Sequence, residues 1–194
     1  MRKMQGRDSK FMLKVAKLAK KFAKQAHNSI NHKRKYSGEP YWRHCERVAY
    51  LVSLVTQDQN MIAAAWLHDI LEDVMPLNSQ YNVEAIKNLF GEDVLALVLD
   101  LTDVSKLEDG NREKRKAIDR AHTFAASPRA KLIKLADLID NARDISNNDQ
   151  GFLRIYLKEM ALLLEGLHTP ENMVLWQMAK HLCEMERKKT SGVC

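Results

Sequence analysis

The stretch AAAWLHDILEDV, residues 63–74, starts as an apolar run and then places His68, Asp69, Glu72 and Asp73 within about a turn and a half. In a helix, residues four apart share a face, so His68 pairs with Glu72 and Asp69 with Asp73. Burying such groups without partners is costly, because a lone carboxylate loses its hydration. Two arrangements escape that cost. Either the four face solvent from an amphipathic helix, or they surround a bound cation or a water-filled pocket. On this stretch alone the solvent-facing arrangement is favoured, since an HD dipeptide arises often by chance.

The rest of the chain has the same helical texture. Phe11, Val15, Leu18, Ala19 and Phe22 recur at helical intervals across residues 10–30. A polar stretch, NHKRKYSGEPYW, is punctuated by Gly38 and Pro40 before a helix resumes over residues 44–55. One continuous helix is predicted across MIAAAWLHDILEDV, another across NVEAIKNLF, and a third after Gly91 into VLALVLDLT. LEDGNRE reads as a loop and EKRKAIDRAHTF as a basic helix. Ser127-Pro128 marks a helix start leading into RAKLIKLADLIDNARDI. SNNDQG reads as a loop, FLRIYLKEMALLLEGL as a helix, and HTPENM as the opening of a last helix. Trp42, Trp66 and Trp176 fall at helical positions and read as core or half-buried packing. No alternating pattern, repeat or linker divides the chain, so the expectation is one all-α domain over residues 1–194.

Bulk properties narrow the class. Of 194 residues, 45% are hydrophobic and 29% charged, as in an ordinary globular domain. No apolar run approaches the roughly 20 residues of a membrane span, and no apolar signal segment follows the basic start MRKMQGRDSK. A cytoplasmic protein without a membrane partner is expected. Cys45, Cys183 and Cys194 are an odd, widely spaced set without a CxxC pair, which suits free thiols. The formal charge of +6 suits an anionic partner. Much of the surplus, however, lies on Lys14, Lys17, Lys20, Lys21 and Lys24 and in the closing ERKKT, which read as solvated helix faces. A small anion is therefore expected, and no nucleic acid.

Two distant residues reverse the reading of the opening stretch. His44, in EPYWRHCERVAYLV, lies near a helix end with Val48, Tyr50 and Leu51 as apolar company; alone it would be structural. Asp137, in AKLIKLADLIDNARDI, is ringed by Leu132, Ile133, Leu135, Ala136, Leu138 and Ile139, and an aspartate there needs a strong partner. Lys134 on the same helix needs one too. His44, His68, Asp69 and Asp137 together offer two imidazoles and two carboxylates, a set suited to Mn, Fe or Zn rather than Ca. Four protein ligands with room for water make a site of the catalytic kind. His122 and Arg129 read as helix-surface residues, and His27, His32, His168 and His181 show no partner spacing.

The series His44…His68-Asp69…Asp137 resembles the H…HD…D signature of HD-domain phosphohydrolases. Its flanks RKYSGEPYWRH, LHDILEDV, LTDVSK and AKLIKLADLIDNARDI resemble the corresponding segments of the RelA/SpoT hydrolase branch, over about residues 26–167. The stand-alone length is similar to the small alarmone hydrolases, of the metazoan SpoT-homologue type. The resemblance implies an all-α, single HD-domain helical bundle. It implies that His44, His68, Asp69 and Asp137 hold one metal, usually Mn2+, while Glu72 and Asp73 orient the attacking water and handle its proton. Arg34 and Lys35, which without it would read as a solvated loop, are implied to face the nucleotide, with Lys134, Asn141 and Tyr156 lining its pocket. The implied reaction is hydrolysis of guanosine 3′-diphosphate alarmones, (p)ppGpp, to GDP or GTP and pyrophosphate. The chain departs from the branch at Leu138, Ile139 and Asp140, which leaves the metal ligands untouched but bears on the nucleotide. An adenosine alarmone, NADPH or a nucleoside monophosphate fits the same chemistry. A domain that senses nucleotides without hydrolysis is the reading from another class, and the Glu72-Asp73 pair weighs against it.

Overall fold

Every regular element among the described residues is helical, as the apolar spacing predicts. The computed structural model describes residues 2–191, with side chains described over residues 14–189; Cys194 and its expected thiol lie outside them. In chain order the helices are α1 (Arg2–Ser29), α2 (Trp42–Val55), α3 (Gln59–Leu67), α4 (Val83–Phe90), α5 (Glu92–Leu101), α6 (Arg112–Ala125), α7 (Pro128–Asn148), α8 (Gln150–Leu167) and α9 (Met173–Ser191). A π turn, Ile70–Val74, and short 3-10 turns at Leu107–Asp109 and Pro170–Asn172 lie between them. None of these helices is long and apolar enough to cross a membrane. The chain forms two compact units: the chain up to Arg34 with residues 39–102, and Lys35–Gly38 with residues from 103 onward.

In the first unit α3 is the central element, packed by α1, α2 and α5. It buries Met61, Ala63, Ala64, Ala65, Trp66 and Leu67, so nearly every side of it is covered. Alanines dominate this contact: α1 contributes the fully buried Ala19, Ala23 and Ala26 at helical spacing. Small side chains let helix axes approach closely, which fixes the first unit around α3. Asp58 starts α3 by accepting hydrogen bonds from the Asn60 and Met61 N–H groups at 2.9 and 3.2 Å. Two residues expected in the apolar set face outward instead, Leu18 at 41% and Tyr50 at 62% exposure.

The single helix expected across MIAAAWLHDILEDV is broken. α3 ends at Leu67; Asp69 sits at φ −97°, ψ 3°; and the chain then closes a wider turn, Met75 N–H donating to the Ile70 carbonyl at 2.9 Å. A π turn holds one residue more than an α turn. Here it buries Ile70, Leu71 and Val74 while leaving Glu72 and Asp73 half-buried. Apolar spacing fits both geometries, so periodicity alone could not separate them.

In the second unit α7 packs against α8 and α9, and α6 against α8. Ser127 caps α7, its hydroxyl accepting from the Ala130 N–H at 3.3 Å with Pro128 in the first position. Leu132, Ile133, Leu135, Ala136, Leu138 and Ile139 are all buried, as their pattern predicts. SNNDQG is not a loop: only Asp149 separates α7 from α8. Its polar residues are spent on the helix ends, Asn148 donating to the Asp144 carbonyl at 2.7 Å and Asp149 accepting from the Phe152 N–H at 2.9 Å. At Gly166 a Cβ would overlap the Phe124 ring, so α6 and α8 meet there through a bare backbone. Trp66 is buried and Trp42 and Trp176 are half-buried. Cys45 and Cys183 are buried free thiols.

Candidate active site

His44 enters from the first turn of α2, fully buried, and His68 and Asp69 from the break after α3. Their ligand atoms converge. His44 Nε2 lies 3.2 Å from His68 Nε2, and Asp69 Oδ2 lies 3.0 Å from His68 Nε2 and 3.5 Å from His44 Nε2. A carbonyl only accepts, so the 2.9 Å contact from His68 Nδ1 to the Ala65 carbonyl places the proton on Nδ1. Nε2 is thereby left with its lone pair toward the other two atoms, the tautomer a metal ligand needs. The Tyr41 hydroxyl donates to Asp69 Oδ2 at 2.8 Å and holds that carboxylate in place. Two imidazole nitrogens and a carboxylate oxygen fit a borderline divalent ion.

Glu72 and Asp73 follow in the π turn. Burial, then the charge of Asp69, pushes the Asp73 carboxyl up to about 7, while His68, the Tyr41 hydroxyl and His44 pull the other way. A carboxyl in that range can exchange a proton near neutral pH.

Asp137 belongs to the second unit, 5% exposed, with Lys134 Nζ 3.0 Å from its Oδ2 and Asn141 Nδ2 donating to its Oδ1 at 2.6 Å. The strong partner its buried position calls for is thus present on its own helix. Lys134, Asp137, Asn141 and Tyr156 line a pocket of about 240 Å3 within the second unit. The Tyr156 hydroxyl donates to the Leu138 carbonyl at 3.4 Å. Of the two loop cations, Lys35 lies in the second unit, 5.1 Å from the Tyr36 ring and 5.7 Å from the Phe152 ring. Arg34 lies in the first, with its guanidinium 5.6 Å from the Tyr41 ring. At 7% exposure it is a buried arginine and not the solvated loop residue its composition suggests.

Three features escaped the sequence reading. Tyr41 is one, although its position three residues before His44 was a usable signal. The second is a group around His27, whose Nδ1 lies 3.1 Å from His32 Nδ1 and whose Nε2 lies 3.5 Å from Cys45 Sγ. The His32 ring stacks on Tyr41 at 3.8 Å between centroids and 8° between planes. Burial pulls the His27 imidazole down to about 3, and burial pushes the Cys45 thiol well above its ordinary value, which disfavours the thiolate. The third is the set of α6 cations, Arg112, Lys116 and Arg120, that line the second unit's pocket. Their four-residue spacing is visible in the sequence.

The sequence profile of the HD domain family matches residues 19–162. The chain is similar to the guanosine-3′,5′-bis(diphosphate) 3′-pyrophosphohydrolase MESH1 of Drosophila melanogaster, 38% identical over 111 residues, which cover 56% of this chain and 58% of that protein. With MESH1 of Danio rerio the identity is 34% over 127 residues, 64% of this chain and 66% of the relative. A guanosine-3′,5′-bis(diphosphate) 3′-pyrophosphohydrolase of Aquifex aeolicus is 35% identical over 127 residues, but those are only 17% of its length. The matched region spans less than two thirds of each of these relatives. A solved structure described as "A metazoan ortholog of SpoT hydrolyzes ppGpp and plays a role in starvation responses" superposes with a TM-score of 0.76 at 26% identity, covering 93% of this chain and 97% of that one.

Proposed function

Because the chain belongs to the HD domain family, we propose that it is a metal-dependent hydrolase of (p)ppGpp, releasing pyrophosphate and GDP or GTP. The observation that carries this reading is the convergence of His44, His68 and Asp69 on one point. The likeness to pyrophosphohydrolases supports the substrate. His44, His68 and Asp69, with Asp137 as fourth ligand on the family resemblance, would hold one divalent ion, Mn2+ in this proposal or another transition metal such as Fe or Zn. When bound, such an ion lowers the pKa of water and polarises a phosphoryl oxygen.

The chain's own groups do the rest. The water oxygen bonds to the phosphorus on the ribose 3′-oxygen, the bond from that phosphorus to the 3′-oxygen breaks, and the 3′-oxygen leaves as a hydroxyl. Glu72 takes the water's proton, with Asp73 assisting from the same turn, and the leaving 3′-oxygen takes up a proton from solvent. Tyr41 keeps Asp69 oriented. Arg34, Lys35, Lys134, Asn141 and Tyr156 hold the nucleotide, Arg34 by a forked contact and the lysines as point charges. Residues 1–194 act as one cytoplasmic hydrolase domain on a small nucleotide.

Pyrophosphate or phosphate release should be followed with Mn2+ over ppGpp, pppGpp, their adenosine analogues, NADPH and nucleoside monophosphates. Turnover of ppGpp and its loss with a chelator is the expected result. Turnover of adenosine substrates alone overturns the substrate assignment, and nucleotide binding without any turnover overturns hydrolysis in favour of sensing. Glu72→Ala should keep the metal and lose about a hundredfold or more in kcat; full activity would remove Glu72 as proton acceptor. Asp137→Ala should lower bound metal by elemental analysis. Unchanged metal content would confine Asp137 to its pairing with Lys134 and Asn141.

A further inference from the structure

α1 places Lys14, Lys17, Lys21 and Lys24 three or four residues apart, so they form one stripe along about 15 Å of the helix. Like charges at this spacing destabilise a helix, and the sequence from Lys14 to Ser29 holds no acid to offset them. Lys24 rests on the Trp42 ring at 3.8 Å. Lys14, Lys17 and Lys21 are exposed, and no carboxylate among the described residues pairs with them. A groove of about 420 Å3 lies beside this stripe, within the first unit. Its apolar lining comes from three helices: Ala16 of α1, Ala49 and Tyr50 of α2, and Ile62 and Trp66 of α3. Glu46 is the one acid in the lining and is already held, with Lys20 at 2.8 Å on one oxygen and Arg43 at 2.9 Å on the other. On the α2 side Tyr50 is 62% exposed, and Leu54, one turn on, is 60% exposed.

An apolar groove with a cationic stripe along one edge is complementary to a surface that is apolar on one line and acidic on the next. An amphipathic helix carries that pattern, and a groove is where its apolar face is buried. We propose that this groove docks an acidic amphipathic helix of a partner protein, about three turns long to match the stripe. Its apolar side chains lie against Tyr50, Ile62 and Trp66, and its carboxylates meet Lys14, Lys17 and Lys21. Stacked bases of a nucleic acid suit the face poorly. Trp42 is covered by Lys24 and by Arg43 at 4.3 Å, and Trp66 is 5% exposed with Lys20 5.3 Å from its ring. Neither indole offers the open face that a base needs. A flat bilayer would reach the lysines and Leu54 but not the buried Ala49.

The test uses the full chain and a fluorescein-labelled synthetic peptide of about sixteen residues, with leucines along one helical face and glutamate and alanine elsewhere. Anisotropy should report saturable binding, and a shuffled peptide of the same composition, which has no apolar face, should not bind. Lys17→Glu combined with Lys21→Glu should weaken the peptide about tenfold or more. Tyr50→Ala should weaken it by about the same factor. Lys158→Glu, an exposed charge of the second unit, should leave it unchanged. Thermal melts matching the wild type show that each variant is folded. Equal binding of the shuffled peptide, or unchanged affinity in the charge-reversed variant, overturns the proposal. So does sedimentation of the chain with phosphatidylserine vesicles in place of peptide binding, which assigns the face to a membrane. A dimer that Tyr50→Ala abolishes, without any peptide binding, overturns it in favour of a second copy of this chain.

Discussion

The first unit contains two histidine pairs of nearly the same dimensions, His27 with His32 at 3.1 Å and His44 with His68 at 3.2 Å. The difference between them is a carboxylate. His27 has the Cys45 thiol on its other nitrogen and His32 has the Tyr41 ring against its face, so this pair is neutral and packed. At the second pair Asp69 Oδ2 lies 3.0 and 3.5 Å from the two Nε2 atoms. A negative charge beside two lone pairs favours a cation, whereas two imidazoles sharing a proton do not. Proximity of histidines is therefore a poor sign of a metal centre, and a third, anionic atom is the better one. Tyr41 touches both pairs, stacking on one and donating to the carboxylate of the other.

The two histidine pairs separate most clearly at His68. His68→Ala should reduce bound metal to background by elemental analysis and cut ppGpp turnover by about a thousandfold or more. A variant that keeps wild-type metal content would show that the trio is a packing cluster like its neighbour. Tyr41→Phe is milder, because it preserves the ring against His32 and removes the hydroxyl that donates to Asp69 and acts on Asp73. Metal affinity, titrated against a competing chelator, should weaken about tenfold to a hundredfold. Unaltered affinity would mean that Asp69 is oriented without Tyr41.

The smallest effect belongs to the neutral pair and concerns stability. His27 is lowered from 6.5 to about 3 in the folded chain, first by burial, so as pH falls the unfolded chain takes up its proton earlier. Stability from this group is complete above the unfolded value of 6.5 and is lost as pH drops toward 3, with a slope on the order of 1 kcal/mol per unit. Urea midpoints at pH 7 and 5 should fall in the wild type and fall less in His27→Gln, with metal content unchanged. The same acid dependence in both proteins would assign it to other groups.

What the sequence disclosed follows from how local each signal is. Ser127-Pro128 announced α7 because a cap and a fixed φ act within one turn. His44, His68 and Asp69 were legible because their identities and order form a pattern that spacing alone would not supply. SNNDQG was misread because Asn and Asp serve loops and helix ends equally, and only the hydrogen bonds of Asn148 and Asp149 decide between them. The burial of Arg34 was not legible, because it depends on the chain returning from Glu39 to Tyr41, where the Arg34 N–H meets the Glu39 carbonyl at 2.8 Å. The state of each α6 cation was invisible, since Glu159 and Asp103 reach Arg112 and Lys116 from other segments.

The π turn at Ile70–Val74 has a consequence for chain length. Because it holds one residue more than an α turn needs, deleting one residue inside it would let an ordinary helix close. His68 and Asp69 would stay where α3 leaves them. Everything after the deletion would swing about 100° around the axis, the rotation of one helical residue. Such a chain would retain nearly every side chain and much of its helix while aiming the segment after Asp69 at a different wall. The spare residue acts as a spacer that sets the angle between His68 and Asp69 and the acids that follow them.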